Sequence, residues 1–291
     1  MKPGAAFVVG IDLGTSHTVV AWGAVSGGAP ELLPLPQLVG PGEVAARPLL
    51  ASCLYTPVEA EGLADLDGSR RWIVGELARR RGADVPGRLV ASSKSWLSHG
   101  AVDRTAPLLP WGAAEDVPRV SPVEAAAALL RRVRRAWEET HPGAPLAGQE
   151  VVLTVPASFD EVARELTVRA AEEAGLSVTL LEEPQAAFYG WLARHGEVGL
   201  QSLLSRHGEG ARVLVVDIGG GTTDLSLLAL RGASAAAAVE RVAVGPHVLL
   251  GGDNMDLALA HHAEAQITSG RGEGRLDPAR FGQLVLACRG A

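Results

Sequence analysis

Cysteine is scarce: Cys53 and Cys288 stand far apart with no partner motif, which excludes a thiolate zinc cluster and suits a reducing compartment. No apolar run approaches the ~20 residues that cross a bilayer. The first apolar stretch, Ala5 to Ile11, is stopped by Asp12 and precedes no small-residue cleavage pattern, so it reads as a strand and not as a leader. A basic excess is missing too, and the net charge of −7 argues against broad nucleic-acid binding. Cytoplasmic residence, with neither membrane nor nucleic acid as a partner, is the expectation. What remains, 47% hydrophobic and 20% charged, can bury one or two sizeable cores. The clusters Arg79–Arg80–Arg81 and Arg131, Arg132, Arg134, Arg135 read as solvated helix faces.

One stretch carries chemistry. Arg212 to Leu230 reads as two strands, Val213–Val216 and Leu225–Leu230, joined by a turn through Gly219, Gly220 and Gly221. Glycine there permits positive φ and close approach of backbone to a ligand. Successive N–H groups in such a turn form an anion-binding concavity, beside the hydroxyls of Thr222 and Thr223. Asp217 cannot itself favour a phosphate, so its place implies a cation between them, Mg²⁺ with its water shell. Taken alone, a GGG turn is more often structural than ligand-binding. A second copy changes the weighing: Phe7 to Trp22 repeats strand, Asp12, Gly14, Thr15, Ser16 and strand. Asp12 and Asp217 lie 205 positions apart, a spacing for two halves of a duplicated α/β chain whose hairpins clamp one phosphate chain.

Between the copies, Ser26 to Pro48 reads as loops around short strands, Leu49–Tyr55 as a strand and Trp72–Arg81 as a helix start. Lys94 stands alone among Ser92, Ser93, Ser95 and apolar neighbours. A lone lysine is usually a surface residue; held inward, it would act as a point charge on phosphate oxygens. Ser121–Glu139 is a helix with a capping box at Ser121 and Glu124, Pro122 at its first position, and an apolar face of Val123, Ala126, Leu130, Val133 and Trp137. Then come a strand (Glu150–Val155), a helix capped by Ser158 with a stripe of Val162, Leu166 and Ala170 and a stop at Gly175, and a strand (Ser177–Leu181). A helix over Gln185–Arg194 follows. The alternation favours a parallel or mixed sheet covered by helices. Glu182 and Glu183 end a strand where ligands bind such sheets, and only one can face the cleft; Pro184 favours Glu183. Residues 196–210 read as a polar link, Gly251–Gly252 as a turn before a helix capped by Asp253 or Asn254, and Asp277–Pro278 as the start of a last helix.

In order along the chain, GIDLGTSHTVVA, VVLTVPASFDEVARELTVRAAEEAGL with LLEEPQAAFYG, DIGGGTTDLSLL and LGGDNMD resemble the motifs of the actin-like ATPase superfamily. Within it they resemble the nucleotide-binding domain of the seventy-kilodalton heat-shock (DnaK-like) chaperones. The resemblance implies an ATPase binding ATP or ADP with Mg²⁺, and K⁺ as an accompanying ion. Asp12 and Asp217 would hold hydrated Mg²⁺, with Glu183 placing metal and attacking water. Gly14, Thr15, Ser16, Gly219, Gly220, Gly221 and Thr222 would hold phosphates, and Gly251 and Gly252 in the following turn would join the nucleotide-binding residues. Lys94 and Thr222 would reach the γ-phosphate, and Pro156 and Arg164 would pass the nucleotide state to a client-binding domain. Unfolded clients, J-domain proteins and exchange factors are the implied partners.

The implied fold is α/β, two lobes around a cleft. The first lobe is residues 1–196 with an upper insertion at about 46–118, the link is 197–211, and the second lobe is 212–291 with its upper part from about 246. DPARFGQLVLACRGA resembles the start of a helix carrying adenosine contacts, with Arg289 where an acidic contact is usual. The chain stops within that helix, so the expectation is a shortened second lobe that binds ATP weakly and runs no full chaperone cycle. A filament-forming bacterial actin, a sugar or acetate kinase, and a nucleotide-dead regulatory relative are the rival readings. Lys94 and PASFD favour the chaperone over the filament protein, and no acceptor-site signature marks a kinase.

Overall fold

The first lobe grows from an antiparallel hairpin of β1 (Phe7–Leu13) and β2 (His17–Ala24), in which Asp12 faces Val19. It belongs to a computed structural model describing residues 2–207, 211–231, 238–246, 248–269 and 275–289. Strand alternation decides which side chains meet the core: Val9, Ile11 and Leu13 are buried, and Asp12 between them is exposed. The Gly/Pro-rich segment forms β3 (Glu31–Leu32), β4 (Leu35–Gly40) and β5 (Glu43–Arg47). The strand expected at Leu49–Tyr55 is two, β6 (Leu50–Ala51) and β7 (Leu54–Tyr55), because the Cys53 N–H turns back to the Ala51 carbonyl. The helix expected from Trp72 starts later. Ile73–Val74 is β8, paired with β7, and Gly75, at φ +101°, turns the chain into α1 (Glu76–Asp84). β9 (Leu89–Val90) and the single turn α2 (Ser93–Trp96) follow.

α3 (Pro122–Thr140) has the expected capping box, and its stripe from Val123 to Trp137 is buried. Its arginines are not all solvated: Arg132 is buried and bonded to the buried Asp65. β10 (Glu150–Val155) runs parallel to β1, and β11 (Val178–Glu182) parallel to β10, giving the sheet order β11-β10-β1-β2-β3. Between them lies α4 (Glu161–Glu173), capped by Asp160 and not Ser158: the Asp160 carboxylate accepts the Ala163 N–H at 2.7 Å. Its inward side is Ala163, Leu166, Thr167 and Ala170, while Val162 is exposed. Phe7, Trp22, Trp137 and His141 pack edge-on and stacked where sheet and helix meet.

α5 (Glu183–His207) corrects a further expectation. The stretch read as a polar link resumes as helix after a kink at Gly196, and residues 208–210 lie outside the described ones. Leu200 is fully buried, and Leu203 and Leu204 pack in the second core with Phe188, Leu228 and Leu230. That core supports an antiparallel sheet of β12 (Arg212–Ile218), β13 (Thr223–Arg231) and β14 (Ala238–Val244). α6 (Gly252–Ser269) and α7 (Pro278–Cys288) follow and pack on each other; the last two residues of the final helical motif, 290 and 291, lie outside the description. α7 reaches α1 of the first lobe. A Cβ on Gly282 would come 2.7 Å from the Ala83 carbonyl oxygen, and Gln283 Nε2 donates to Asp84 Oδ1 at 2.8 Å.

Candidate functional site

The two glycine hairpins are built alike. Gly14 N–H donates to the His17 carbonyl (3.0 Å), and Gly219 N–H to the Thr222 carbonyl (2.8 Å), each closing a turn that begins two residues after an aspartate. Their tips touch: a Cβ on Gly220 would lie 1.7 Å from Ser16 Oγ, and one on Gly221 3.2 Å from Thr15 Cγ2. Positive φ, expected of these glycines, is not what they supply, since none of Gly14, Gly219, Gly220 and Gly221 is left-handed. They supply room for one turn against the other, and Gly14 also for its own closure, where a Cβ would meet the His17 carbonyl oxygen at 2.4 Å.

A cleft of about 450 Å³ opens beside this contact. It gathers Asp12, Gly14, Thr15, Ser16, Lys94, Pro156, Glu183, Asp217, Gly219, Gly220 and Thr222, all singled out from sequence. Gly221, Gly251, Gly252 and Arg164 do not line it. Gly251 and Gly252 lie behind the second turn, where Gly252 and Asp253 donate N–H bonds to the Gly219 and Gly220 carbonyls (3.0 and 2.7 Å). They buttress the turn.

Lys94 points inward. Ser92, at φ +53°, a rare conformation for a residue with a side chain, starts the turn that buries it. Its Nζ is 2.5 Å from Glu183 Oε1. The chain has two lysines, Lys2 and Lys94, among 26 basic residues, so in a composition that prefers arginine a compact ammonium stands at this position. Burial, then the Asp12 and Asp217 carboxylates, push the Glu183 carboxyl above the usual range, against the pull of Lys94. Desolvation, then Asp12 and Asp224, likewise raise Asp217. Such mutual repulsion is what a cation between carboxylates relieves. Among the described residues no three His, Cys, Asp or Glu side chains converge closely enough to ligate a bare ion.

Sequence reasoning missed Thr154, Phe159, Asp224, Ser95 and Ser98 in the lining. Thr154 Oγ1 donates to Asp12 Oδ1 (2.8 Å), fixing that carboxylate, and Thr222 Oγ1 donates to Asp224 Oδ2 (3.1 Å). The pairing of Asp224 opposite Asp217 across the hairpin is the signal that finds it, because residues facing each other on antiparallel strands share a side. A second cavity of about 260 Å³, lined by Arg79, Leu89, Leu286 and Arg289, adjoins the first through Thr15 and Ser16. Arg289 there is paired with Asp253 and with Asp256 (2.9 Å).

Paired Asp-Gly hairpins, tip to tip beneath one α/β cleft, are the arrangement of the actin-like ATPase fold. Comparison with known proteins narrows this. The family model described as Hsp70 protein matches residues 103–286, and the chain belongs to the Hsp70 family. It is 35% identical over 96% of its length to a chaperone protein HscA homolog of Pseudomonas aeruginosa (strain LESB58), covering 40% of that protein. With a protein of the same description from Burkholderia lata it shares 35% identity over 89% of its length and 37% of the relative's. For one from Burkholderia pseudomallei (strain 668) the values are 34%, 97% and 41%. The chain thus spans about two fifths of the curated relatives it matches. Its fold and family are those of an Hsp70 nucleotide-binding domain.

Proposed function

We propose that the chain binds ATP and ADP in the 450 Å³ cleft and hydrolyses ATP, as the motor of a chaperone whose client binding follows the nucleotide state. The observation that carries this is the contact between the two glycine turns, with Asp12, Asp217 and the Lys94–Glu183 pair around one cavity. The carboxylates, two of them with pKa values raised first by burial and then by one another, suit Mg²⁺ held through its waters, and a bound Mg²⁺ would offset phosphate charge. Asp12, steadied by Thr154, and Asp217 would hold that water shell. Gly14–Ser16 and Gly219–Thr222 would cradle the phosphates with backbone N–H groups and hydroxyls. Lys94 would move from Glu183 onto γ-phosphate oxygens. Glu183, released and with its basicity enhanced by burial, would orient the attacking water and accept its proton.

Closure of the lobes over nucleotide, J-domain and exchange-factor partners, and clients bound by a further domain belong to the same reading, which membership of the Hsp70 family favours over a filament protein. Titration calorimetry with ADP and ATP tests it. Expected is binding that needs Mg²⁺ and is lost in Asp12→Asn and Asp217→Asn, with slow phosphate release from ATP. No heat at millimolar nucleotide, with or without Mg²⁺, would overturn it. Nucleotide-dependent sedimentation into polymers would favour the filament reading instead.

A further inference from the structure

We propose that Arg241, on the second sheet, is a positioning residue that ties occupancy of the cleft to the seating of one lobe on the other. Arg241 stands on β14 opposite Leu228 of β13, and β13 starts beside Thr222 and carries Asp224, both in the cleft wall. Its side chain crosses to the first lobe. Nη1 donates to the Ala157 carbonyl at 3.0 Å, and Nε lies 3.0 Å from Glu182 Oε2.

Both contacts fall on segments that border the cleft. Ala157 sits between Pro156 and Phe159, which line it. Glu182 ends β11 and precedes Glu183, the partner of Lys94. Arg164 grips the same two segments from the first-lobe side, with Nη2 2.7 Å from Glu182 Oε1 and Nε donating to the Phe159 carbonyl at 3.2 Å. The Glu182 carboxylate, its side chain 13% exposed, is therefore held between two guanidiniums, one from each lobe. Neighbouring residues at a strand end point to opposite sides, so Glu183 addresses the cleft while Glu182 addresses the lobe boundary. A displacement of one carries the other.

The contacts close a circuit. From the cleft it runs through Lys94 and Glu183 to Glu182, across to Arg241, and through β14 and β13 back to Asp224 and Thr222. Parting the lobes strips Arg241 from a carbonyl and leaves a mostly buried carboxylate oxygen without its second-lobe cation. A ligand bridging Glu183 and the second turn favours the closed circuit, and by reciprocity the circuit retains that ligand. Family resemblance points to Pro156 and Arg164 for coupling; Arg241 and Glu182 come from the distances.

The release readout rests on the nucleotide reading above; a second readout does not. Stopped-flow release of a fluorescent ADP analogue is compared for Arg241→Met and Arg241→Lys, each with Glu182 intact and with Glu182→Gln. Loss of one hydrogen bond across the lobe boundary predicts release about three- to tenfold faster in Arg241→Met. Arg241→Lys should be intermediate, and the acceleration should shrink at least twofold in Glu182→Gln, the mark of a direct pair. Unchanged release from folded Arg241→Met, or equal acceleration in both backgrounds, overturns the proposal. If the unmodified chain binds no ADP analogue, the nucleotide reading has failed separately. Amide hydrogen exchange across residues 156–160 then decides: faster exchange in Arg241→Met upholds the tether and unchanged exchange overturns it. Should Arg241→Met not fold, Arg241→Lys is read by the same two measurements.

Discussion

Replacing Lys94 with methionine keeps the length of a buried side chain and deletes its charge, leaving Glu183 without the partner 2.5 Å away. Removing one member of a buried ion pair costs about 3–5 kcal/mol while the other stays ionised. Glu183 can escape by taking up a proton, because burial first, and Asp12 and Asp217 next, already raise its pKa, and Lys94 is what opposes them. The sign follows. A carboxyl whose pKa is higher folded than unfolded favours the folded state at low pH. Its contribution is lost as pH climbs from the unfolded value, about 4.3, to the folded one. Lys94→Met raises the upper edge of that window. The variant should therefore melt several degrees below the unmodified chain at pH 8, with the gap narrowing as pH falls to 5. Lys94→Met combined with Glu183→Gln should recover most of the loss and show no such narrowing. Phosphate release from ATP should drop about 10²- to 10³-fold in Lys94→Met, the usual effect of deleting one stabilising group at a reacting centre, and at least as far in the double variant, which also lacks the Glu183 carboxylate. Differential scanning fluorimetry from pH 5 to 8 reads the first part. A melting gap independent of pH, or a double variant no more stable than the single one, would refute the assigned coupling.

Gly220→Ala pushes a methyl into Ser16, so nucleotide binding should weaken severely and stability fall by about 1–3 kcal/mol. Gly143→Ala, with nothing within 4 Å of the new carbon, is the control, expected within about 0.5 kcal/mol of the parent by urea titration. Arg132→Met leaves buried Asp65 unpaired and should destabilise by about 3–5 kcal/mol, whereas Arg132→Met with Asp65→Leu should regain most of it; a double variant as weak as the single one would sink this. Asp160→Ala removes the α4 cap and should cost about 1 kcal/mol. Ser158→Ala should leave helix stability unchanged, which the same titrations check.

Local signals were legible because their causes are local. The Ser121–Pro122–Glu124 start of α3 and the alternation in β1 depend on residues a few positions apart, and both hold. Where two local candidates competed, tertiary contact chose. Ser158 and Asp160 are both good caps, but Phe159 N–H turns back to the Pro156 carbonyl, and Asp160 then starts the helix while also accepting from Nη1 and Nη2 of Arg104 at 3.0 Å each. Arg132 looked like a neighbour of solvated arginines because its partner, Asp65, lies 67 positions away. After Gly196 the polar composition masks a helix that periodicity reveals: Leu200, Leu203 and Leu204 have helical spacing, and all three face the second core.

The glycine turns show why a motif can be found for a reason other than the one that preserves its geometry. Read along the sequence, glycine suggested backbone freedom, yet none of the four turn glycines uses a left-handed conformation. The demand at Gly220 comes from Ser16, across the lobe boundary. No window around residue 220 contains that constraint. Only the duplication of Asp12 and Asp217 brings it within reach, since two similar hairpins serving one phosphate chain must approach tip to tip. The same logic explains the uneven success among candidate residues. Those on the two turns, Gly221 apart, and at the ends of β10 and β11 share the cleft because the two sheets deliver them there. Gly251 and Gly252, equally glycine-rich in sequence, meet the back of a turn instead, which the N–H groups of Gly252 and Asp253 hold. A glycine pair therefore points to close packing first, and only the charged side chains around it tell whether the packed surface faces a ligand.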